Sequence, residues 1–258
     1  MIIDSHCHLD YEPMVSNLDN IIDRAKNNGV NLMLSICTEE KKFSKILEIS
    51  NKYRQVFLTY GIHPHESKNH KSINKDSILK SLKKSKKIIG IGETGLDFYY
   101  NHSDKDTQIS LFQEHIKAAQ ISGLPLIIHS RNAEKETLEI LRNNIKLKKF
   151  KFLIHCFTGS YPFSKDIVNL GGYISASGVV TFKKSKDLAK TLSCVPNNRI
   201  LIETDSPYLS PEPKRGKPNE PSYIIHTLKF LSNLKNLDVQ EFAKITSGNF
   251  FNLFGKII

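Results

Sequence analysis

Along the chain, short apolar runs rich in β-branched residues alternate with longer stretches in which apolar positions recur at helical spacing. The runs are MII (1–3), VNLMLSIC (30–37), QVFLTYGI (55–62), IIGIG (88–92), LPLIIH (124–129), FKFLIHC (150–156), GGYISAS (171–177) and RILIET (199–204). Between them, DTQISLFQEHIKAAQISG carries the helical pattern most fully. Ile109, Phe112, Ile116 and Ala119 share one face, Asp106 stands as the N-cap, and Gly123 with Pro125 forms the stop. Eight strand–helix units within 258 residues predict an α/β chain folded as a single (β/α)8 TIM-type barrel. No linker or low-complexity segment divides residues 1–258, so one domain is expected. An open doubly wound sheet is the competing architecture, but no Gly-x-Gly-x-x-Gly turn follows the first run.

Composition bears on the setting more than on the fold. Apolar residues make up 39% of the chain, and no run of about 18 apolar residues exists to span a bilayer. The N-terminus has no basic stretch followed by an apolar run, so no secretory signal is read and the expected location is cytoplasmic, with no membrane association. Cys7, Cys37, Cys156 and Cys194 stand singly, without the Cys-x-x-Cys spacing of a zinc knuckle or redox motif. They read as reduced, inert thiols. The net charge of +11 invites a polyanionic partner, although much of the excess is lysine in stretches such as KSLKKSKK (80–87), which suit a solvated helix face equally well.

Chemistry enters with DSHCHLD (4–10). In an extended segment His6 and His8 point to one side and Cys7 to the other, a geometry that suits a metal ion but also an ordinary surface pair or hydrogen-bonded core residues. The remaining strand ends weigh against the ordinary reading. His63 and His65 follow the third run, Glu93 the fourth, His129 ends the fifth, His155 lies near the end of the sixth, and Asp205 follows the eighth. In a (β/α)8 barrel the strand C-termini surround one mouth, where catalytic groups sit. Imidazoles and carboxylates at six of eight such ends are hard to explain by core packing.

These stretches resemble the TatD-type metal-dependent hydrolases, deoxyribonucleases within the amidohydrolase-like barrels. The resemblance rests on DSHCHLD, YGIHPH (60–65), IGETGLDFYY (91–100), IIHSR (127–131), HCFTG (155–159), ETDSPYLSP (203–211), RGKPNEPSY (215–223) and SGNFFNLFG (247–255), in family order and over essentially the whole chain. Thr94 and Asn132 depart from the usual pattern, but neither is a ligand candidate. The resemblance implies two divalent ions, zinc, manganese or magnesium: one held by His6, His8, Glu93 and Asp205, the other by Glu93, His129 and His155, with Glu93 bridging. Two ions about 3.5 to 4 Å apart suit hydrolysis of a phosphodiester by an activated water, and Asp205 would also accept the proton of that water.

His63 is expected at the substrate phosphate or beside a ligand, whereas His65 reads equally as loop structure. Arg131 offers a bidentate fork to phosphate, with an ion pair to a nearby carboxylate as the rival. Glu203 is expected to orient a ligand from deeper in the barrel. Cys7 and Cys156 are expected to point outward into packed surroundings. The loop after Asp205, proline-rich and bearing Lys214, Arg215 and Lys217, is placed at the rim of the mouth, where it would guide a DNA end.

The activity expected is a divalent-metal-dependent deoxyribonuclease acting from a strand end, with DNA as substrate and no obligatory protein partner evident. Hydrolysis of another ester or amide, such as an aminoacyl ester on tRNA, is the alternative within the same chemistry. No lysine stands with Glu93 at the end of the fourth run, which leans away from a cyclic amide. A non-catalytic nucleic-acid-binding barrel is the third possibility, opposed by the complete ligand set.

Overall fold

Burial on both faces decides the architecture, because each apolar run supplies side chains to two separate cores. In the computed structural model, which describes residues 1–255, these runs form one eight-stranded parallel sheet in sequential order. The strands are β1 (Ile2–Cys7), β2 (Val30–Ser35), β3 (Val56–Tyr60), β4 (Ile88–Asp97), β5 (Leu126–Arg131), β6 (Phe152–Ile154), β7 (Tyr173–Ala176) and β8 (Ile200–Ile202). The helices are α1 (Leu18–Asn27), α2 (Glu40–Lys52), α3 (Lys75–Leu82), α4 (Lys105–Ser122), α5 (Glu134–Leu147), α6 (Tyr161–Asn169), α7 (Lys186–Cys194), α8 (Ile224–Leu234) and α9 (Val239–Phe254).

One core lies between strands and helices, where Met33, Leu58, Ile91, Ile128, Ile154 and Ile174 meet apolar helix faces such as Phe43 and Ile46 of α2. The second fills the barrel: Ile3, Leu32, Leu34, Ile89, Ile127, Leu153 and Leu201 pack with Phe250, Leu253 and Phe254 of α9. Asn249 donates to the carbonyls of Asn197 and Ile200, fixing α9 at the N-terminal ends of the strands. The barrel is therefore plugged with hydrocarbon at one end, leaving the other to polar side chains.

The α4 helix starts at a different cap from the one expected. Asp104, not Asp106, is the N-cap: its carboxylate accepts from the Thr107 N–H at 2.8 Å, while Asp106 lies exposed in the first turn. Both positions place a carboxylate near the positive helix end, so spacing alone did not separate them. Gly123 does end the helix, at φ +76°, with its N–H bonded to the Ala119 carbonyl at 2.9 Å.

The barrel closes where β1 meets the segment after β8. Asp205 donates its backbone N–H to the His6 carbonyl at 2.9 Å, and His8 donates to the Ser206 carbonyl at 2.8 Å. Below this pair, the buried Asp4 carboxylate accepts from the Thr204 N–H at 2.9 Å and the Thr204 hydroxyl at 2.5 Å. The seam thus runs directly past the candidate ligands.

Candidate metal centre

Each candidate side chain reaches the open end through local backbone behaviour at a strand terminus. The register of β1 shifts between Asp4 and Cys7, which places His6 in the barrel and Cys7 in the outer core. Glycines bring β4 close to β5. Gly95 has φ +134°, and a Cβ there would lie 2.1 Å from the His129 carbonyl oxygen. Asp205 adopts φ +56°, a left-handed conformation that aspartate tolerates better than most residues and that aims its carboxylate across the mouth.

Glu93 stands at the centre. Its Oε2 lies 3.4 Å from His6 Nε2, while Oε1 lies 2.7 Å from His155 Nε2, 3.1 Å from His129 Nδ1 and 3.4 Å from His63 Nε2. Asp205 Oδ1 faces His8 Nε2 at 3.3 Å and His6 Nε2 at 3.7 Å. The His6 and His155 rings stack at 3.9 Å between centroids. Seven of the eight candidate residues, His8, His63, Glu93, His129, Arg131, His155 and Asp205, line one cavity of about 770 Å³, and His6 lies buried beneath it.

The electrostatics follow from packing many imidazoles around two carboxylates. Burial alone would raise the Glu93 carboxyl, but the His155 and His63 charges and the His129 hydrogen bond outweigh it and hold Glu93 well below the usual carboxylate range. Asp205 is likewise held low against its burial by His8 and His6. Burial pushes His63 down to about 4, despite Glu93 beside it. Against its own burial, His155 is raised well above its ordinary value by Glu93 and Glu203. Both carboxylates are therefore anionic at neutral pH.

The donor set fits divalent cations. Both His6 nitrogens, His8 Nδ1 and His155 Nδ1 are buried without a hydrogen-bond partner, a costly state for polar atoms unless something absent from the protein chain satisfies them. Donor atoms of His6, His8 and Glu93 lie within 4.8 Å of one another, as do those of His63, Glu93 and His129 and those of His6, His155 and Glu203. Imidazole nitrogens mixed with carboxylate oxygens suit zinc and manganese, and the carboxylates suit magnesium. His63, expected at the substrate, thus stands within ligand reach beside Glu93 and His129.

Several side chains differ from their expected settings. Cys156 does not point outward. The strand has ended at Ile154, Cys156 has φ +41°, and its thiol lines the cavity beside the Ser177 hydroxyl at 3.1 Å. Arg131 forms no ion pair among the described residues; its guanidinium lies over the rings of Tyr99 at 4.3 Å and Tyr100 at 4.7 Å. Glu203 does sit deeper: it accepts from the Cys156 N–H at 2.6 Å and from the Ser175 hydroxyl, with His155 Nδ1 at 3.5 Å.

Asp97 escaped the sequence reading. Its Oδ2 lies 3.0 Å from His129 Nε2 and 2.9 Å from His65 Nε2, and its Oδ1 accepts from the Tyr99 and Tyr100 N–H groups at 3.0 Å. With Nε2 of His129 donating to Asp97, Nδ1 is left as the lone-pair nitrogen facing Glu93, the tautomer a cation needs. A signal existed: Asp97 is four residues beyond Glu93 on the same extended strand. Tyr11, Lys42 and Tyr208, also on the cavity wall, carried no such spacing cue.

Comparison with known proteins bears on the fold and the family. A family model described as TatD related DNase matches residues 3–255. An uncharacterized metal-dependent hydrolase of Buchnera aphidicola from Acyrthosiphon pisum is 41% identical over 98% of both chains. The uncharacterized metal-dependent hydrolase YcfH of Escherichia coli K12 is 34% identical over 98% of this chain and 95% of its own. Among solved structures, the TatD homolog YjjV of E. coli superposes with a TM-score of 0.88 at 26% identity, covering 99% of this chain and 98% of its own. A TatD-family hydrolase of Entamoeba histolytica gives 0.89 at 25% identity, covering 98% and 97%.

Proposed function

Because the chain belongs to the TatD related DNase family, we propose that it is a divalent-metal-dependent deoxyribonuclease that hydrolyses phosphodiester bonds from a DNA end. The observation that carries the reading is the division of Glu93: one carboxylate oxygen faces His6 and the other faces His129, His155 and His63. A carboxylate so divided is suited to bridge two cations. His6, His8, Glu93 and Asp205 would hold one and Glu93, His129 and His155 the other, with His63 in reach of the second. Cations bound there would supply Lewis-acid stabilisation of phosphoryl charge and acidify a water.

The chain's own groups supply the rest. Asp205, anionic and open to the cavity, accepts the proton of the attacking water at a carboxylate oxygen. Glu93 holds the ligand cluster together. Arg131, kept at the rim by its two tyrosines, presents its free N–H groups to phosphate oxygens, and His63 approaches the same group from the β3 side. The cavity admits a strand terminus more readily than a paired duplex, which favours attack from an end.

The test uses purified, chelator-stripped protein reloaded with magnesium, manganese or zinc in turn. It is offered end-labelled single-stranded DNA, duplex DNA, RNA and aminoacyl-tRNA. Stepwise release of nucleotides from single-stranded DNA is expected, and Asp205→Asn should slow it at least about 10²-fold. Metal-dependent deacylation of aminoacyl-tRNA with intact DNA would overturn the assignment in favour of a carboxylic ester.

A further inference from the structure

The loops that follow β7 and β8 form one wall of the cavity: Val179, Phe182, Tyr208 and Leu209 line it together with Glu93 and Asp205. Three contacts brace them. The Thr181 hydroxyl accepts from the Glu212 N–H at 2.8 Å, and the Arg215 guanidinium lies 3.8 Å over the Phe182 ring. Gly178 packs so closely that a Cβ there would lie 2.2 Å from the Leu209 carbonyl oxygen. Two segments distant in sequence thus present a single rim.

That rim is strongly cationic. Lys183, Lys184, Lys186, Arg215 and Lys217 are exposed, and Lys214 lies over the Tyr223 ring at 5.0 Å. Among the described residues, the ion pairs made by lysine and arginine involve none of these six cations. Nearby carboxylates are few: Asp187 and Glu212 are present, and Glu220 is taken by Arg24 at 2.6 Å. Exposed like charges held side by side repel and add nothing to folding; Arg215, over the cavity-lining Phe182, and Lys183, next to it in the chain, bring this charge to the cavity wall, where it suits an anionic occupant. Exposed Tyr208 and the Phe182 ring add stacking surfaces. Cations tracking a backbone, interleaved with aromatic rings, are the pattern that binds single-stranded nucleic acid.

We propose that the braced β7 and β8 loops form a track for single-stranded DNA, holding the part of the strand that extends beyond the nucleotide seated in the cavity. This deepens the nuclease reading and rests on it for the choice of DNA. Phosphates lie along the cations, while bases reach the Tyr208 and Phe182 side. A polymer is therefore held more tightly than a mononucleotide, and affinity falls with salt.

The experiment measures binding, not turnover. The metal-loaded full chain is titrated into a fluorescent single strand of about 12 nucleotides with phosphorothioate linkages, a length within the usual site sizes of single-strand binders. The probed variant carries Lys183→Gln, Lys184→Gln, Arg215→Gln and Lys217→Gln, with a melting curve to establish the fold. Affinity should fall at least about 10-fold at 0.1 M salt. The slope of log affinity against log salt should shrink by about 3, because each phosphate left without its cation removes about 0.7 from it. The pairs Lys183/Lys184 and Arg215/Lys217, each exchanged alone, should give about half that change. These pairs keep the test alive if the fourfold variant misfolds.

Unchanged affinity and slope would overturn the track. Equal losses for poly-glutamate of matched charge would overturn it too, leaving general polyanion attraction. A wild type that binds the strand with the full slope but cleaves no DNA would remove the nuclease assignment and leave the track standing. Cleavage by wild type with salt-independent binding would do the reverse.

Discussion

Asp97 and His129 are joined at 3.0 Å through Oδ2 and Nε2, and the same oxygen lies 2.9 Å from His65 Nε2. One carboxylate therefore fixes the imidazole that faces Glu93 and ties it to the loop after β3. Asp97→Asn offers an amide where His129 needs an acceptor, so the ring is free to take the other tautomer. Loss of such a partner costs about 10- to 100-fold in metal affinity. Calorimetric titration should find one of two binding events weakened by that factor and the other retained, with the melting temperature of the metal-free protein close to wild type. Two unaltered events would leave Asp97 a structural group only.

Glu93→Gln and His155→Ala should separate shared from single ligation. Glu93 faces both halves of the cluster, so its replacement should lower bound metal at both positions, whereas His155→Ala should chiefly empty one. Elemental analysis after gel filtration gives the count. Full metal content in Glu93→Gln would rule out bridging.

Asp205→Asn keeps the size of the side chain while removing its proton affinity. General-base assistance is worth about 10² to 10⁴-fold, so kcat on single-stranded DNA at saturating metal should drop at least about 10²-fold. Strand binding should persist, because the cations of the rim are untouched. Near-normal kcat in a folded, metal-loaded variant would show that Asp205 is not a catalytic group.

His115 gives a pH dependence remote from the ligand cluster. It is fully buried in α4; its Nε2 accepts from the Ile62 N–H at 3.1 Å and its Nδ1 donates to the Leu111 carbonyl at 2.8 Å. Burial lowers its pKa from 6.5 to about 4. The unfolded chain then binds a proton at pH values where the folded one does not, so stability is fully present above about 6.5 and declines as pH falls toward 4. The loss is on the order of 3 kcal/mol. Urea titrations of His115→Gln should show a shallower fall over this interval than wild type. Parallel curves would show that His115 does not contribute.

Much of the layout of the candidate site was legible because residues of ligand type stand where a barrel gathers its strand ends. His6, His8, Glu93, His129, His155 and Asp205 all lie at or just beyond the ends of apolar runs, and parallel strands send their C-termini to one end. What escaped was decided by backbone torsions and contacts between distant residues. Cys156 turns inward only because its φ is +41°, which no alternation pattern reveals. The stacking of Arg131 on Tyr99 and Tyr100 depends on how β5 ends beside the turn after β4. The α4 cap fell two residues early because Asp104 and Asp106 offer the same chemistry at neighbouring positions.

The seam between β1 and the segment after β8 joins the first strand of the barrel to residues that follow the last. A chain halted before residue 205 already contains five of the six proposed ligands, His6, His8, Glu93, His129 and His155. It nevertheless lacks the Asp205 N–H that bonds to the His6 carbonyl and the Ser206 carbonyl that accepts from the His8 N–H. During synthesis β1 emerges first and finds β2 early, but its other edge must wait for the segment after β8. A product that ends before Asp205 therefore lacks both a proposed ligand and the second edge of the seam.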